Sequence, residues 1–166
     1  MAEFDPVAIL RLLDAHRVEF IVVGGIAARL RGAPLLTQDV DITPATDRTN
    51  LERLVAALRD LDARLRTATE PDGVAFPFDP GLLESVSVWT LTTKHGDLDL
   101  VVSPAGTRGF RDLITDADRL KVAVDPELLV NVASLADVIR SKEAAGRDKD
   151  RAALPLLRRT LEESAG

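Results

Sequence analysis

The stretch Phe20-Ile-Val-Val-Gly-Gly-Ile-Ala-Ala-Arg-Leu-Arg-Gly-Ala-Pro-Leu-Leu-Thr-Gln-Asp-Val-Asp-Ile42 decides how this 166-residue chain is read. An apolar, largely β-branched run over 20–23 predicts a strand, Gly24-Gly25 breaks it, and Ile26 to Arg31 carry helix formers until Gly32 and Pro34 stop them. A second strand is expected from Gln38. In a strand, alternate side chains share a face, so Asp39 and Asp41 point one way while Val40 and Ile42 point the other. The apolar pair suits a core. Asp is depleted in strands, and two carboxylates about 7 Å apart along one face repel each other unless positive charge lies between them. Two alternating acids can also be the wet face of an antiparallel strand, and a Gly pair alone is an ordinary turn. Their combination points to more: amides at a glycine turn opening a helix bind phosphate oxygens, and the next strand supplies hard oxygen ligands for Mg²⁺. Phosphate and metal sites side by side suggest a nucleoside triphosphate.

Gly24-Gly25, thirteen intervening residues and then Asp39-Val-Asp41 between apolar neighbours resemble the signature of the nucleotidyltransferase superfamily with the DNA polymerase β type fold. Within it, the chain is similar to small bacterial nucleotidyltransferases related to abortive-infection (AbiEii) and toxin-antitoxin enzymes. The likeness extends through Thr37, the Gly96-Asp-Leu-Asp-Leu100 strand, and Lys142 with Arg147-Asp-Lys-Asp150, so it spans most of the chain. It implies an α+β fold, a mixed β-sheet flanked by helices, with a C-terminal helical part over about 134–166 and a single domain over 1–166. It implies transfer of a nucleoside monophosphate from an NTP to a hydroxyl of an RNA end such as tRNA, a protein or a small molecule, with one or two Mg²⁺ ions. A cognate antitoxin or other partner protein is implied for the toxin branch. Two departures stand out. Many relatives carry Ser at the position of Gly25, and many carry Arg two residues before the Thr, where this chain has Leu35; Arg29 and Arg31 are the candidate replacements.

Val86 to Thr93 alternates, Lys94-His95-Gly96 turns, and Asp97 to Val102 returns, predicting a hairpin. Asp97 and Asp99 share a face; Asp97 borders the turn, where it can be satisfied, so Asp99 between Leu98 and Leu100 is the expected third metal carboxylate beside Asp39 and Asp41. By pattern alone Lys142 is as much a surface partner of Glu143 or Asp137 as a phosphate ligand, and the resemblance assigns it to phosphate. Asp150 is left with three roles, orienting Lys142, binding metal or accepting the acceptor's proton; Arg147 is left between phosphate and the nearby Asp148 and Asp150.

Elsewhere the pattern predicts scaffold. Asp5-Pro6 starts a helix running to about His16, with Val7, Leu10 and Leu13 on one stripe that Ile9 can join; Asp47 or Asn50 caps a helix carrying Leu51, Leu54, Val55, Leu58 and Leu61. A short strand near 63–66 leads into an irregular, proline-rich loop over 67–80, given no catalytic role, and a helical turn over 81–84. Trp89 is expected in the core. A loop and a helical turn over Gly106 to Leu113, with Arg108 and Arg111, precede an edge hairpin, Lys121 to Val124 and Leu128 to Val132. Ser134 opens a helix that Gly146 ends, and a last helix over about 148–160 turns Leu154, Leu157 and Leu161 inward, with Pro155 as kink or early-turn residue.

Composition excludes several classes. The chain has no Cys, so disulfides, zinc-thiolate sites and thiol catalysis are out, and only two His. No 18-residue apolar run is present, and the N-terminus lacks a basic-then-apolar pattern, which together lead to an expected cytoplasmic location without membrane association. A net charge of −6 argues against indiscriminate nucleic-acid binding. Neither G-x-x-x-x-G-K-[ST] nor G-x-G-x-x-G nor G-x-S-x-G occurs. Two alternatives stand beside the transferase: an inactive regulatory module of the same fold, and a structural cation site in an unrelated α+β domain.

Overall fold

A computed structural model describes residues 2–165 of the chain. Helix α1 (Pro6–Ala15) starts where Asp5 caps it, its carboxylate accepting the Ala8 N–H at 3.1 Å, and ends at His16, whose Nε2 meets Asp60 at 3.0 Å. Strand β1 (Phe20–Val23) is buried throughout and runs directly into α2 (Gly24–Leu30), two residues earlier than the helix pattern suggested. Strand β2 (Asp39–Pro44) follows, then α3 (Arg48–Asp60), capped by Asp47 rather than Asn50. Asn50 is buried instead, and its side-chain amide ties the Glu19 amide and carbonyl to the Ala45 carbonyl.

Strand β3 (Arg64–Leu65) is short, and α4 (Pro80–Leu83) is a single turn capped by Asp79. The hairpin is present as β4 (Val88–Thr93) and β5 (Gly96–Val101); Val86 lies outside it, 43% exposed. Trp89 is in the core, its Nε1 donating to the Leu83 carbonyl at 2.9 Å. After α5 (Phe110–Leu113) come β6 (Asp118–Val124), longer by three residues than its β-branched run suggested, and β7 (Glu127–Val132). Helix α6 (Leu135–Ala145) is capped by Ser134 and stopped by Gly146 in the left-handed region, as expected.

The last helix, α7 (Asp148–Ala165), corrects the sequence reading twice. It continues through Pro155 and beyond Thr160, so Pro155 lies in the helix interior and is not an early-turn residue. Its buried stripe is Asp150, Leu154, Leu157 and Thr160, which leaves Leu161 at the edge and 36% exposed.

The seven strands form one mixed sheet in the order β3-β4-β5-β2-β1-β7-β6. β2 lies antiparallel to β1, with Val23 opposite Asp41, and parallel to β5, with Asp39 opposite Asp97 and Asp41 opposite Asp99. One register therefore fixes both faces. Val40, Ile42, Leu98 and Leu100 are fully buried on one side, each contributing roughly 1.5–3 kcal/mol by burial. The four acids are gathered on the other. Two unit charges about 5 Å apart at an effective dielectric near 20 repel by about 3 kcal/mol, so the apolar face can hold the acids in place against their repulsion. Helix α1 covers the apolar side, packing on α3, β2 and β5. No described helix is long and apolar enough to cross a membrane.

Candidate active site

Three carboxylates meet where β2 and β5 run side by side. Asp39, Asp41 and Asp99 each present an oxygen, and these oxygens all lie within 4.8 Å of one another. Each residue is half-buried. Burial, with repulsion from Asp39 and Asp99, raises the Asp41 carboxyl to about 7, although Lys142 and Lys149 pull the other way. Burial and Asp39 likewise raise Asp99 to about 6, opposed by Arg66. Such a cluster has more negative charge than its surroundings neutralise, and three hard oxygens at this spacing suit a divalent cation such as Mg²⁺.

The glycine turn lies against this cluster. Gly24 has φ +65° and faces Asp41 so closely that a Cβ there would stand 3.0 Å from the Asp41 Cγ, with the nearer carboxylate oxygen closer still. Only glycine tolerates both the dihedral and the approach. Gly25 sits beside Thr37, whose Oγ1 would be 3.3 Å from a Cβ at Gly25 and donates to the Asp39 carbonyl at 3.0 Å. The Thr37 hydroxyl thus occupies the space beside the glycine that a larger residue would use.

Of the two candidates to replace the Arg absent at Leu35, one is already committed. Arg31 donates to the Val132 and Ala133 carbonyls at 2.9 and 3.2 Å and pairs with Asp118 at 2.7 Å, pinning α2 to the end of β7. Arg29 is exposed and forms no hydrogen bond or ion pair among the described residues.

The C-terminal helices bring the cations. Lys142 on α6 pairs with neither Glu143 nor Asp137 but with Asp150 on α7 at 3.5 Å, its side chain 20% exposed. Asp150 is fully buried. Arg147 donates to it from Nε at 2.7 Å, from Nη2 at 3.3 Å and from its backbone N–H at 3.2 Å. Burial would raise this carboxyl, but the Arg147 bonds and Lys142 outweigh it and hold the group below its ordinary range. Both of its oxygens accept from cations of its own helical pair, Lys142 and Arg147. Gly24, Asp41, Lys142, Arg147 and Asp150 share one cleft of about 250 Å³, whose remaining walls include Val88, Val101 and Leu113.

Two features escaped the sequence reading. Lys149 acts on Asp41 through space. Arg66, just beyond β3, pairs with Asp97 and reaches Asp99 at 3.3 Å. Asp97 is therefore not satisfied at the hairpin turn, as expected from sequence, but by an arginine two strands away. Arg66 and Asp97 also line a second cleft of about 420 Å³, bounded by Phe4 and by Pro71 and Asp72 of the 67–80 loop. Arg108 and Arg111 are exposed, and neither side chain has a partner among the described residues.

No protein-family model matches the chain, and no curated protein matches it in sequence. Among solved structures, the lincosamide antibiotic adenylyltransferase LnuA, in a lincomycin-bound crystal structure, superposes with a TM-score of 0.60 over 94% of this chain and 98% of that one, at 13% identity. The chain thus has a nucleotidyltransferase-like fold, the α+β architecture with a mixed sheet and C-terminal helices that its Gly-Gly and Asp-Val-Asp motifs implied.

Proposed function

We propose that the protein is a nucleotidyltransferase, moving a nucleoside monophosphate from an NTP to a hydroxyl. The observation that carries this reading is the convergence of Asp39, Asp41 and Asp99 from two parallel strands, directly against Gly24. Asp39, Asp41 and Asp99 would hold one or two Mg²⁺ ions; when bound, the metal supplies charge stabilisation for the attacking and leaving oxygens of an in-line displacement. Lys142 and Arg147 face the same cleft as Asp41 and are placed to take the charge of the departing pyrophosphate. The backbone of Gly24 and Gly25 and the Thr37 hydroxyl border the cluster and are assigned to the triphosphate. Asp150 works through Lys142 and Arg147 as a positioning residue. The reaction breaks the bond between the α-phosphorus and its bridging oxygen, forms one to the acceptor oxygen as the hydroxyl's proton passes to solvent, and releases pyrophosphate.

For the acceptor, the likeness to an enzyme acting on a lincosamide antibiotic supports a small hydroxylated molecule. A toxin role, with tRNA or a protein as acceptor and an antitoxin as partner, rests on the sequence resemblance alone. We place the work in the cytoplasm, where nucleoside triphosphates are held, and assign it to residues 1–166 as one unit. The intact carboxylate set supports turnover over an inactive regulatory module.

The test is label transfer. With Mg²⁺ and a cell extract, α-labelled NTP should pass label to an acceptor with release of pyrophosphate, and Asp41→Asn should abolish it. Transfer from γ-labelled NTP, or equal transfer by the variant, would refute the assignment.

A further inference from the structure

Four acids line one face of the sheet at the β2–β5 junction, yet only three form the carboxylate group. Asp97 is the exception, although it stands opposite Asp39 across the ladder. The residue that withholds it is Arg66. The Arg66 backbone N–H donates to the Thr90 carbonyl at 3.0 Å, and Thr90 is the cross-strand partner of Asp99. The guanidinium therefore passes over β4, where Thr90 and Thr92 are short, and lands on β5. One nitrogen pairs with Asp97 and another with Asp99 Oδ1 at 3.3 Å, leaving Asp99 Oδ2 outside the arginine's grip. The Arg66 and Asp99 side chains are 23% and 18% exposed, so the pairing is sheltered.

Resting on the nucleotidyltransferase reading, we infer that Arg66, anchored by Asp97, is a positioning residue for Asp99: it fixes the carboxylate's rotation and removes Asp97 from competition for the cation. A planar fork is needed for this. Two donors at a set angle can engage two carboxylates at once, whereas an ammonium supplies the same charge without the angle. Simple neutralisation and positioning thus make different predictions. A cation placed only for its charge is replaceable by lysine, and its removal should tighten metal binding; a guanidinium that orients a ligand is not replaceable, and its loss weakens binding.

The experiment is calorimetric titration of the nucleotide-free protein with Mn²⁺, with each variant checked for an unchanged circular-dichroism spectrum. Arg66→Lys and Asp97→Asn should each lose about 10–100-fold in Mn²⁺ affinity, the range for partners of metal-binding groups. Combining them should cost no more than the larger single effect, because both act through one pair. Arg66→Gln should also bind more weakly than wild type. Arg66→Lys binding within twofold of wild type, or Arg66→Gln binding more tightly, would overturn the inference and leave the nucleotidyltransferase reading standing. Wild-type protein that takes up no Mn²⁺ would overturn both.

Discussion

Replacing Gly24 with alanine isolates the contact on which the proposed chemistry turns. Two effects follow from the geometry. At φ +65° an L-residue is strained, by roughly 1–2 kcal/mol, which for a chain of this size lowers Tm by about 2–8 °C. Separately, the new Cβ would sit 3.0 Å from Asp41 Cγ, 3.1 Å from its Cβ, and inside any real contact distance from the carboxylate oxygen. Backbone on both sides is fixed by the β1–β2 ladder, where Val23 opposes Asp41, so the Asp41 carboxylate must swing by on the order of 1 Å, a misplacement that costs about 100-fold in rate. Gly24→Ala should therefore remain folded, lose a few degrees of Tm, and lose about two orders of magnitude in label transfer together with Mn²⁺ affinity. The assay pairs thermal denaturation with Mn²⁺ titration and transfer kinetics. A variant with the expected drop in Tm but wild-type Mn²⁺ affinity and kcat would show that Asp41 need not hold its place against the turn.

Asp41→Asn should separate stability from function, and its effect should depend on pH. The Asp41 carboxyl titrates near 7 in the fold but near 3.8 when unfolded, so between these values the folded state binds more protons and metal-free stability falls as pH rises. The variant should match wild type near pH 4 and exceed it at pH 8 by about 1–3 kcal/mol, the scale of the relieved repulsion; a Tm difference that does not grow with pH would contradict this. The gain in wild-type Tm on adding Mg²⁺ should grow from pH 6 to pH 8, since the metal requires the ionised acids, and should vanish in Asp41→Asn. Asp150→Asn removes a fully buried charge that accepts four donors; it should cost about 1–3 kcal/mol and raise the KM for NTP through Lys142 and Arg147, with Mn²⁺ affinity little changed.

What the sequence disclosed is explained by range. The strand, glycine turn, helix and acid pair over 20–42 are written in local spacing, and so is the β4–β5 hairpin, which puts Asp99 between two buried leucines with its oxygen near those of Asp39 and Asp41. Asp150 as the partner of Lys142 was also within reach, because α6 and α7 are joined through Gly146. Residues whose roles depend on strands distant in sequence were opaque. Arg66 reaches Asp97 and Asp99 only because β4 pairs with β5 and β3 with β4 in the sheet order, and a two-residue strand carries no periodicity to announce it. Arg31 looked like a free cation near the turn; the parallel pairing of β1 with β7, unforeseeable from pattern, delivers carbonyls that claim it. Leu161 fits the apolar spacing of α7, yet the buried stripe passes through Thr160 and leaves it at the margin.

Location of the metal is the most direct test of the account. Crystals soaked in Mn²⁺ with a non-hydrolysable NTP analogue should give an anomalous peak about 2.1 Å from oxygens of Asp39, Asp41 and Asp99, with the triphosphate running from it toward Gly24 and Lys142. A peak elsewhere on the molecule, or a nucleotide bound away from these three carboxylates, would contradict the claim that the β2–β5 junction is the catalytic centre.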